Sequence, residues 1–282
     1  MVKSLKWPIC LLVTLVGLTF STAANAQNFK FAFITDLHVH SDSTLNEVQK
    51  LLHTLPKDVE FVVSGGDNVD VDNQSAEKLP AVRSRYAKLK AMLSATSRPY
   101  YMAIGNHDRL PAKMRDGAND FQLFEEAFGD TYQSFEHKGA KFIVLNSVYT
   151  DSSGYIVPEK QKEWLAKVLN STPRNMPIVV ITHVPFLSVY YPVLEGKYTA
   201  TDTFTNQKEI MDMFTEHNLQ LVLQGHMHLY EEIKVKNVDY ITAGAVSGNW
   251  WHGAFFGTKP GYLILEMKDG KVTWSYQEAY KL

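Results

Sequence analysis

The chain has 282 residues, 45% of them hydrophobic and 21% charged, with a formal net charge of −2. This is ordinary globular composition with room for a large core, and no charged tail, low-complexity stretch or internal repeat interrupts it. The near-neutral balance leaves no electrostatic case for gripping a nucleic-acid backbone.

At the N-terminus Lys3 and Lys6 precede an apolar stretch from Pro8 to Phe20, followed by Ala24-Asn25-Ala26. A basic start, a short apolar run and a small-residue site are the pattern of a cleavable secretory signal. We expect residues 1–26 to be removed, leaving 27–282 as one exported domain, periplasmic or secreted, without a transmembrane anchor. Cys10, the single cysteine, falls inside the signal. Disulfides and thiolate metal ligands are therefore excluded from 27–282, and a metal site there must use His, Asp, Glu or Asn.

From residue 29 the pattern alternates. Short apolar runs predict strands at 29–35, 59–64 and 99–104, and helical spacing predicts helices at 44–55 and 76–95. Strands separated by helices imply a parallel sheet with covered faces. Residues 132–147 read as a hairpin around Lys138-Gly139, followed by a helix at 158–169, a strand at 176–182, a helix at 206–217 and a strand at 219–224. The tail reads as antiparallel strands at 229–236, 238–243, 260–268 and 271–277, with an Asp-Gly turn before the last. No Pro/Gly/Ser-rich linker divides the chain, so two packed sheets with helices outside are expected in a single domain.

Five of these strands end in metal-ligand residue types. The endings are "TDLHVH" (Asp36, His38), "SGGDNVD" (Asp67, Asp70), "IGNHD" (Asn106, His107, Asp108), "THVP" (His183) and "GHMH" (His226, His228). The carboxyl edge of an open α/β sheet is where ligands bind. Each piece alone is weak, but five in order, each just past an apolar run, point to one site. Imidazole, carboxylate and amide oxygen suit manganese, iron or zinc. Asp36, His38, Asp67, Asn106, His183, His226 and His228 are too many for one ion and suit two, with Asp67 as the anionic bridge. The glycines at 65, 66, 105 and 225 suit sharp turns or close backbone approach.

The ordered set Asp36-x-His38, Gly66-Asp67, Gly105-Asn106-His107-Asp108, Thr182-His183 and Gly225-His226-x-His228 resembles the calcineurin-like metallophosphoesterase superfamily over nearly all of 27–282. The resemblance implies an α/β fold, a four-layer α/β/β/α sandwich of two mixed sheets flanked by helices. It implies a phosphomonoesterase or phosphodiesterase with two divalent ions. Asp36, His38 and His228 would hold one ion; Asn106, His183 and His226 the other; Asp67 would bridge. Two cations about 3.5–4 Å apart clamp a phosphoryl group and make a bridging hydroxide for in-line attack on phosphorus. His107 would stay off the metals and donate a proton to the leaving oxygen. It needs an orienting carboxylate: Asp70, the second aspartate of a GDxxD pattern, or Asp108. No Arg follows Asp70, a departure from the protein phosphatase branch, and position 70 is not the Tyr of purple acid phosphatases.

"DLHVHS" also resembles amidohydrolase and PHP-type barrels, but these predict neither GNHD, GHMH nor the antiparallel tail. A metal-dependent binding protein without turnover is the non-enzyme alternative, and it has no use for His107. Around the site, Trp250, Trp251 and His252 in "SGNWWHG" are either a hydrophobic plug or a substrate-side wall. Tyr190, Tyr191 and Lys197 lie on the long connection 186–204, in reach of a leaving group. Arg109 is a phosphate contact or a surface ion pair. The expected substrate is a small-molecule or lipid-headgroup phosphoester.

Overall fold

The computed structural model describes residues 27–72, 74–114, 119–197 and 202–280; the signal segment 1–26 with Cys10 lies outside them. In chain order the elements are β1 (Phe29–Ile34), α1 (Asp42–Thr54), β2 (Val59–Ser64), α2 (Leu79–Ala95), β3 (Tyr100–Met102), α3 (Gln122–Phe128), β4 (Gln133–His137) and β5 (Ala140–Val144). There follow β6 (Tyr149–Asp151), β7 (Gly154–Ile156), α4 (Glu159–Ser171), β8 (Ile178–Thr182), α5 (Tyr190–Glu195), α6 (Gln207–Met213) and β9 (Leu219–Gln224). The tail is β10 (Glu231–Val235), β11 (Val238–Thr242), β12 (Gly261–Lys268) and β13 (Lys271–Glu278).

The strands form two mixed sheets. One has the order β13-β12-β1-β2-β3, the other β10-β11-β9-β8-β5-β4, and β6–β7 is a separate two-stranded hairpin. β1, β2 and β3 run parallel, as do β5, β8, β9 and β11; in the first sheet β12 is antiparallel to β1 and β13 to β12, and in the second β4 is antiparallel to β5 and β10 to β11. The continuous apolar runs have a simple cause: both faces of these strands are buried. On β1, Phe29, Phe31 and Phe33 face an inter-sheet core, while Ala32 and Ile34 pack with the helices. Phe31 stacks on Phe61 at 5.0 Å, and Phe142 from the opposite sheet meets their edges at 5.2 and 5.3 Å. Leu45, Val48, Leu51 and Leu52 of α1 and Val82, Tyr86, Leu89 and Leu93 of α2 are buried in the second core, as are Leu165 and Leu169 of α4. The result is the expected α/β/β/α sandwich.

α1 starts where Ser41 accepts from the Thr44 N–H and Thr44 answers with its own hydroxyl, a reciprocal cap. That cap fixes the chain three residues after His38 and one after His40. Two details depart from the sequence expectation. β11 pairs antiparallel with β10 but parallel with β9, beside which it inserts. The 225–230 turn diverts the chain away from β9, so β10 cannot fold straight back on it and goes to the sheet edge. The connection after His183 is also not structureless: it contains the one-and-a-half-turn helix α5.

Candidate metal centre

The five strand tips converge, three from the first sheet and two from the second. β1, β2 and β3 bring Asp36, His38, Asp67 and Asn106, and β8 and β9 of the second sheet bring His183, His226 and His228. Backbone hydrogen bonds lace the tips together: Asp36 N–H donates to Gly66 O, His38 N–H to Asp67 O, and His226 N–H to both Asp36 carboxylate oxygens.

The turns are tight enough to strain the backbone. Asp36, His38, Asp67, His226 and His228 all lie in the left-handed region, with φ between 44° and 71°. Such conformations cost about 1–3 kcal/mol each and gather at functional sites. Among the glycines, Gly66 takes φ +102° and Gly105 serves by close approach: a Cβ there would stand 2.1 Å from the Asp67 amide and Oδ1. The ligand-type residues themselves therefore carry most of the unusual geometry.

Three of the imidazoles face inward through the same nitrogen. His38 Nδ1 lies 2.6 Å from Asp70 Oδ1, His183 Nδ1 2.8 Å from Gly65 O, and His228 Nδ1 2.6 Å from Gly248 O. Each partner only accepts, so each Nδ1 carries a proton and Nε2 is the atom turned inward, with a lone pair to offer whenever the ring is neutral. His38 Nε2 and His228 Nε2 are 3.0 Å apart, and Asp36 Oδ1 is 3.3 Å from the latter. His183 Nε2 is 3.0 Å from Asn106 Oδ1, which is also 2.9 Å from His226 Nδ1. Asp67 Oδ2 sits between the groups, 3.2 Å from His183 Nε2 and 3.6 Å from His38 Nε2. Lone pairs this close repel unless a cation stands among them. The donor set, buried carboxylates, imidazoles and one amide oxygen, fits divalent ions.

The electrostatics agree. Burial alone raises the Asp36 pKa, but His228 and His183 hold it down to about 2. Burial likewise opposes charge on Asp67, yet His183 and His107 keep it well below the usual carboxylate range. Burial lowers the His183 pKa, but the charge and hydrogen bond of Asp67, with Asp36, raise it to about 9. Without metal, protons take the place of the cations.

His107 borders this cluster. Its ring meets His38 edge-on at 4.8 Å, and its N–H donates to Asp67 Oδ1 at 2.8 Å. Its orienting carboxylate is neither residue expected from sequence. Asp72 Oδ1 lies 2.9 Å from His107 Nδ1. Asp70 is taken by His38. Asp108 is fully buried and accepts from the Tyr86 hydroxyl and the backbone N–H groups of Asn68, Val69 and Gly105, so it braces the turns instead. Burial and then the Asp67 charge push its own pKa up to about 6. Burial tends to lower the His107 pKa, but Asp67 and Asp72 raise it to about 10.

The family model of the calcineurin-like phosphoesterases matches residues 29–230. The chain belongs to that family. Among curated relatives, this calcineurin-like phosphoesterase is 27% identical over 152 residues to the serine/threonine-protein phosphatase CPPED1 of Rattus norvegicus, an overlap of 52% of this chain and 47% of that protein. It thus spans about half the length of these relatives. It is 23% identical over 222 residues to the 3',5'-cyclic-nucleotide phosphodiesterase alr5338 of Nostoc sp., covering 74% of this chain and 75% of that one. A dimetal phosphatase from Danio rerio superposes with a TM-score of 0.62 at 12% identity, over 90% of this chain and 97% of that one, which establishes the shared fold.

The surroundings of this phosphoesterase's candidate metal centre are mixed. Trp250 stacks on His228 at 4.3 Å and is 5.6 Å from His38. Trp251 turns the other way, donating its indole N–H to His38 O and stacking on Tyr280, so it supports the wall without forming it. His252 is exposed and lies outside the cavity beside the site. Lys197 is exposed as well. Arg109 is committed to an ion pair with Asp120 at 2.7 Å and a hydrogen bond to Thr150. Tyr191 lines the cavity, and Tyr190 packs beside it. Sequence reasoning missed Asp72, and also Tyr155, whose ring meets His226 edge-on at 5.8 Å. Tyr155 sits on the three-residue strand β7, too short to leave a periodic signal.

Proposed function

We propose that this phosphoesterase hydrolyses phosphoesters at a pair of divalent cations. Asp36, His38 and His228 would hold one ion, Asn106, His183 and His226 the other, with Asp67 shared. Bound cations of this kind polarise a phosphoryl oxygen and make water nucleophilic near neutral pH. The observation that carries the reading is the set of inward lone pairs on His38, His183 and His228, each ring locked by its outer nitrogen.

The chain's own residues supply the rest. Asp67 faces both halves of the site through one oxygen. Asp70 fixes the His38 ring and tautomer. His107, held by Asp72 and about one-fifth exposed, is placed to give a proton to a leaving oxygen. A binding protein without turnover has no use for a tethered, partly exposed imidazole beside its metals, which favours the enzyme. The serine/threonine phosphatase and the cyclic-nucleotide phosphodiesterase among its relatives leave both monoesters and diesters as substrate forms. Residues 1–26 have the make-up of an export signal, so we place the enzyme's work outside the cytoplasm.

The test is reconstitution of residues 27–282 with manganese, iron or zinc, followed by assay of p-nitrophenyl phosphate and bis-p-nitrophenyl phosphate. Two ions per chain and turnover of either ester are expected. Bound metal with no turnover of either would leave only the binding function.

A further inference from the structure

Beside the metal centre lies a cavity of about 330 Å³, with His226 in its wall. Three rings line it, Tyr191, Trp250 and Phe255, together with the carboxylates of Glu195 and Asp202. We propose that this cavity binds a quaternary ammonium group, so that choline phosphoesters are the substrate class of the enzyme. The inference rests on the phosphoesterase function above and names its leaving group.

Charge argues first. A cavity at a phosphoryl-binding centre usually meets anions, yet among the described residues its lining carries two carboxylates and neither Lys nor Arg. A second phosphate on the substrate would have no partner there, which disfavours nucleoside di- and triphosphates. Burial first, and then the charge of Asp202 with smaller contributions from Tyr190 and Glu195, raise the Tyr191 pKa. Asp202 is itself buried, at 5% exposure, so its charge is poorly screened by solvent.

Shape argues second. Cations bind over aromatic faces, and cages of rings are the usual receptor for quaternary ammonium groups. Here the rings form a connected wall leading away from the metal centre. Trp250 rests on His228, Phe255 lies 5.8 Å from Trp250, Phe256 4.6 Å from Phe255, and Tyr190 5.8 Å from Phe256. Trp250 keeps 38% of its surface exposed and holds a left-handed φ of 45°, a strained conformation for a bulky residue. A neutral nucleobase could stack on Trp250 and donate an amino N–H to a carboxylate, but it brings no positive charge to the pair, and among the described residues the lining offers no Asn or Gln to pair the rest of its edge.

With phosphocholine the reaction balances simply. The bond from phosphorus to the choline oxygen breaks, a water oxygen bonds to phosphorus, and a proton from that water ends on the choline oxygen. The products are choline and inorganic phosphate.

The experiment compares kcat/KM for phosphocholine with that for 3,3-dimethylbutyl phosphate, its neutral isostere, on the metal-reconstituted enzyme. Glycerophosphocholine and phosphatidylcholine vesicles distinguish a free ester from a lipid-borne headgroup, with choline release as the readout. A preference for the cationic ester of about tenfold or more is expected. The ratio should fall toward one in Trp250→Leu, Glu195→Gln and Asp202→Asn, each variant being its own control because both esters are measured on it. Choline alone should quench tryptophan fluorescence of the wild type but much less in Trp250→Leu, a readout independent of turnover. Hydrolysis of both isosteres at equal efficiency, with no response to choline, overturns the cation pocket and leaves the phosphoesterase standing. Failure to hydrolyse these esters and p-nitrophenyl phosphate alike overturns both.

Discussion

The metal cage and the aromatic rim beside it are built on opposite principles. In the cage, Asp36, His38, Asp67, His183 and His228 are at most 2% exposed, and the outer nitrogen of three imidazoles is pinned by a carbonyl or carboxylate. On the rim, Trp250 and Phe256 are 38% and 64% exposed, and each meets Phe255 ring to ring. A cage must hold donor atoms in place before the substrate arrives, because cations tolerate little misplacement. A rim that selects a leaving group works through shape and field, and can sit on loops. On the function proposed above, the labour divides: strand tips would set the chemistry, and the α5 and 250–256 segments what is admitted.

Variants can break that division. The largest effect is expected from Asp67→Asn, which removes the one anionic oxygen facing both halves of the cage. Metal content should fall below two ions per chain and phosphoesterase turnover should vanish together, as read by elemental analysis and p-nitrophenyl phosphate assay. His107→Ala should retain both ions but lower kcat by roughly 10²–10⁴-fold. Asp70→Asn should weaken metal affinity about 10–100-fold, because it frees the His38 ring, while Asp72→Asn should lower kcat with metal affinity unchanged. That pair separates the two neighbouring carboxylates by their readouts.

Metal removal sharpens the comparison by pH. In the stripped protein the His183 pKa is raised from 6.5 to about 9 and that of Asp36 lowered from 3.8 to about 2. The histidine's contribution is whole below pH 6.5 and is lost as pH climbs through about 9; the aspartate's is whole above pH 3.8 and is lost as pH falls through about 2. Thermal melts should therefore show the stripped protein most stable between about pH 4 and 6.5, and reconstitution should flatten the alkaline decline. The smallest effect is expected on the rim. Phe256→Asn, at a position 64% exposed with φ 43°, should change stability by no more than about 0.5 kcal/mol in denaturant titration.

Much of the cage was legible in the sequence because each tip follows an apolar run that could only be a buried strand. The assignment of each strand to one or the other of the two expected sheets was not. Parallel strands of both sheets carry the same apolar pattern, so nothing in "IVVIT" or "LQLVLQ" separates them from β1 and β2. The partner of His107 was illegible for a different reason. Asp70 and Asp72 sit two residues apart in one extended segment, and the choice depends on His38, which arrives from another strand and occupies Asp70. The cavity was half visible: Tyr191 and Trp250 are conspicuous in the sequence, whereas Glu195 and Asp202 look like ordinary surface acids until the chain folds them toward His226.

The position of β1 has a consequence for how the molecule comes into being. It is hydrogen-bonded to β2 on one side and to β12 on the other, with Phe29 opposite Met267. During synthesis one neighbour emerges early and the other only when the ribosome has nearly finished. Until then β1 has an open edge, and Asp36 waits for a His228 that has not been made. Pairings between such distant segments form slowly. The first sheet cannot be completed until β12 is made, and a metal site that draws on His228 cannot close until β9 has joined the second sheet.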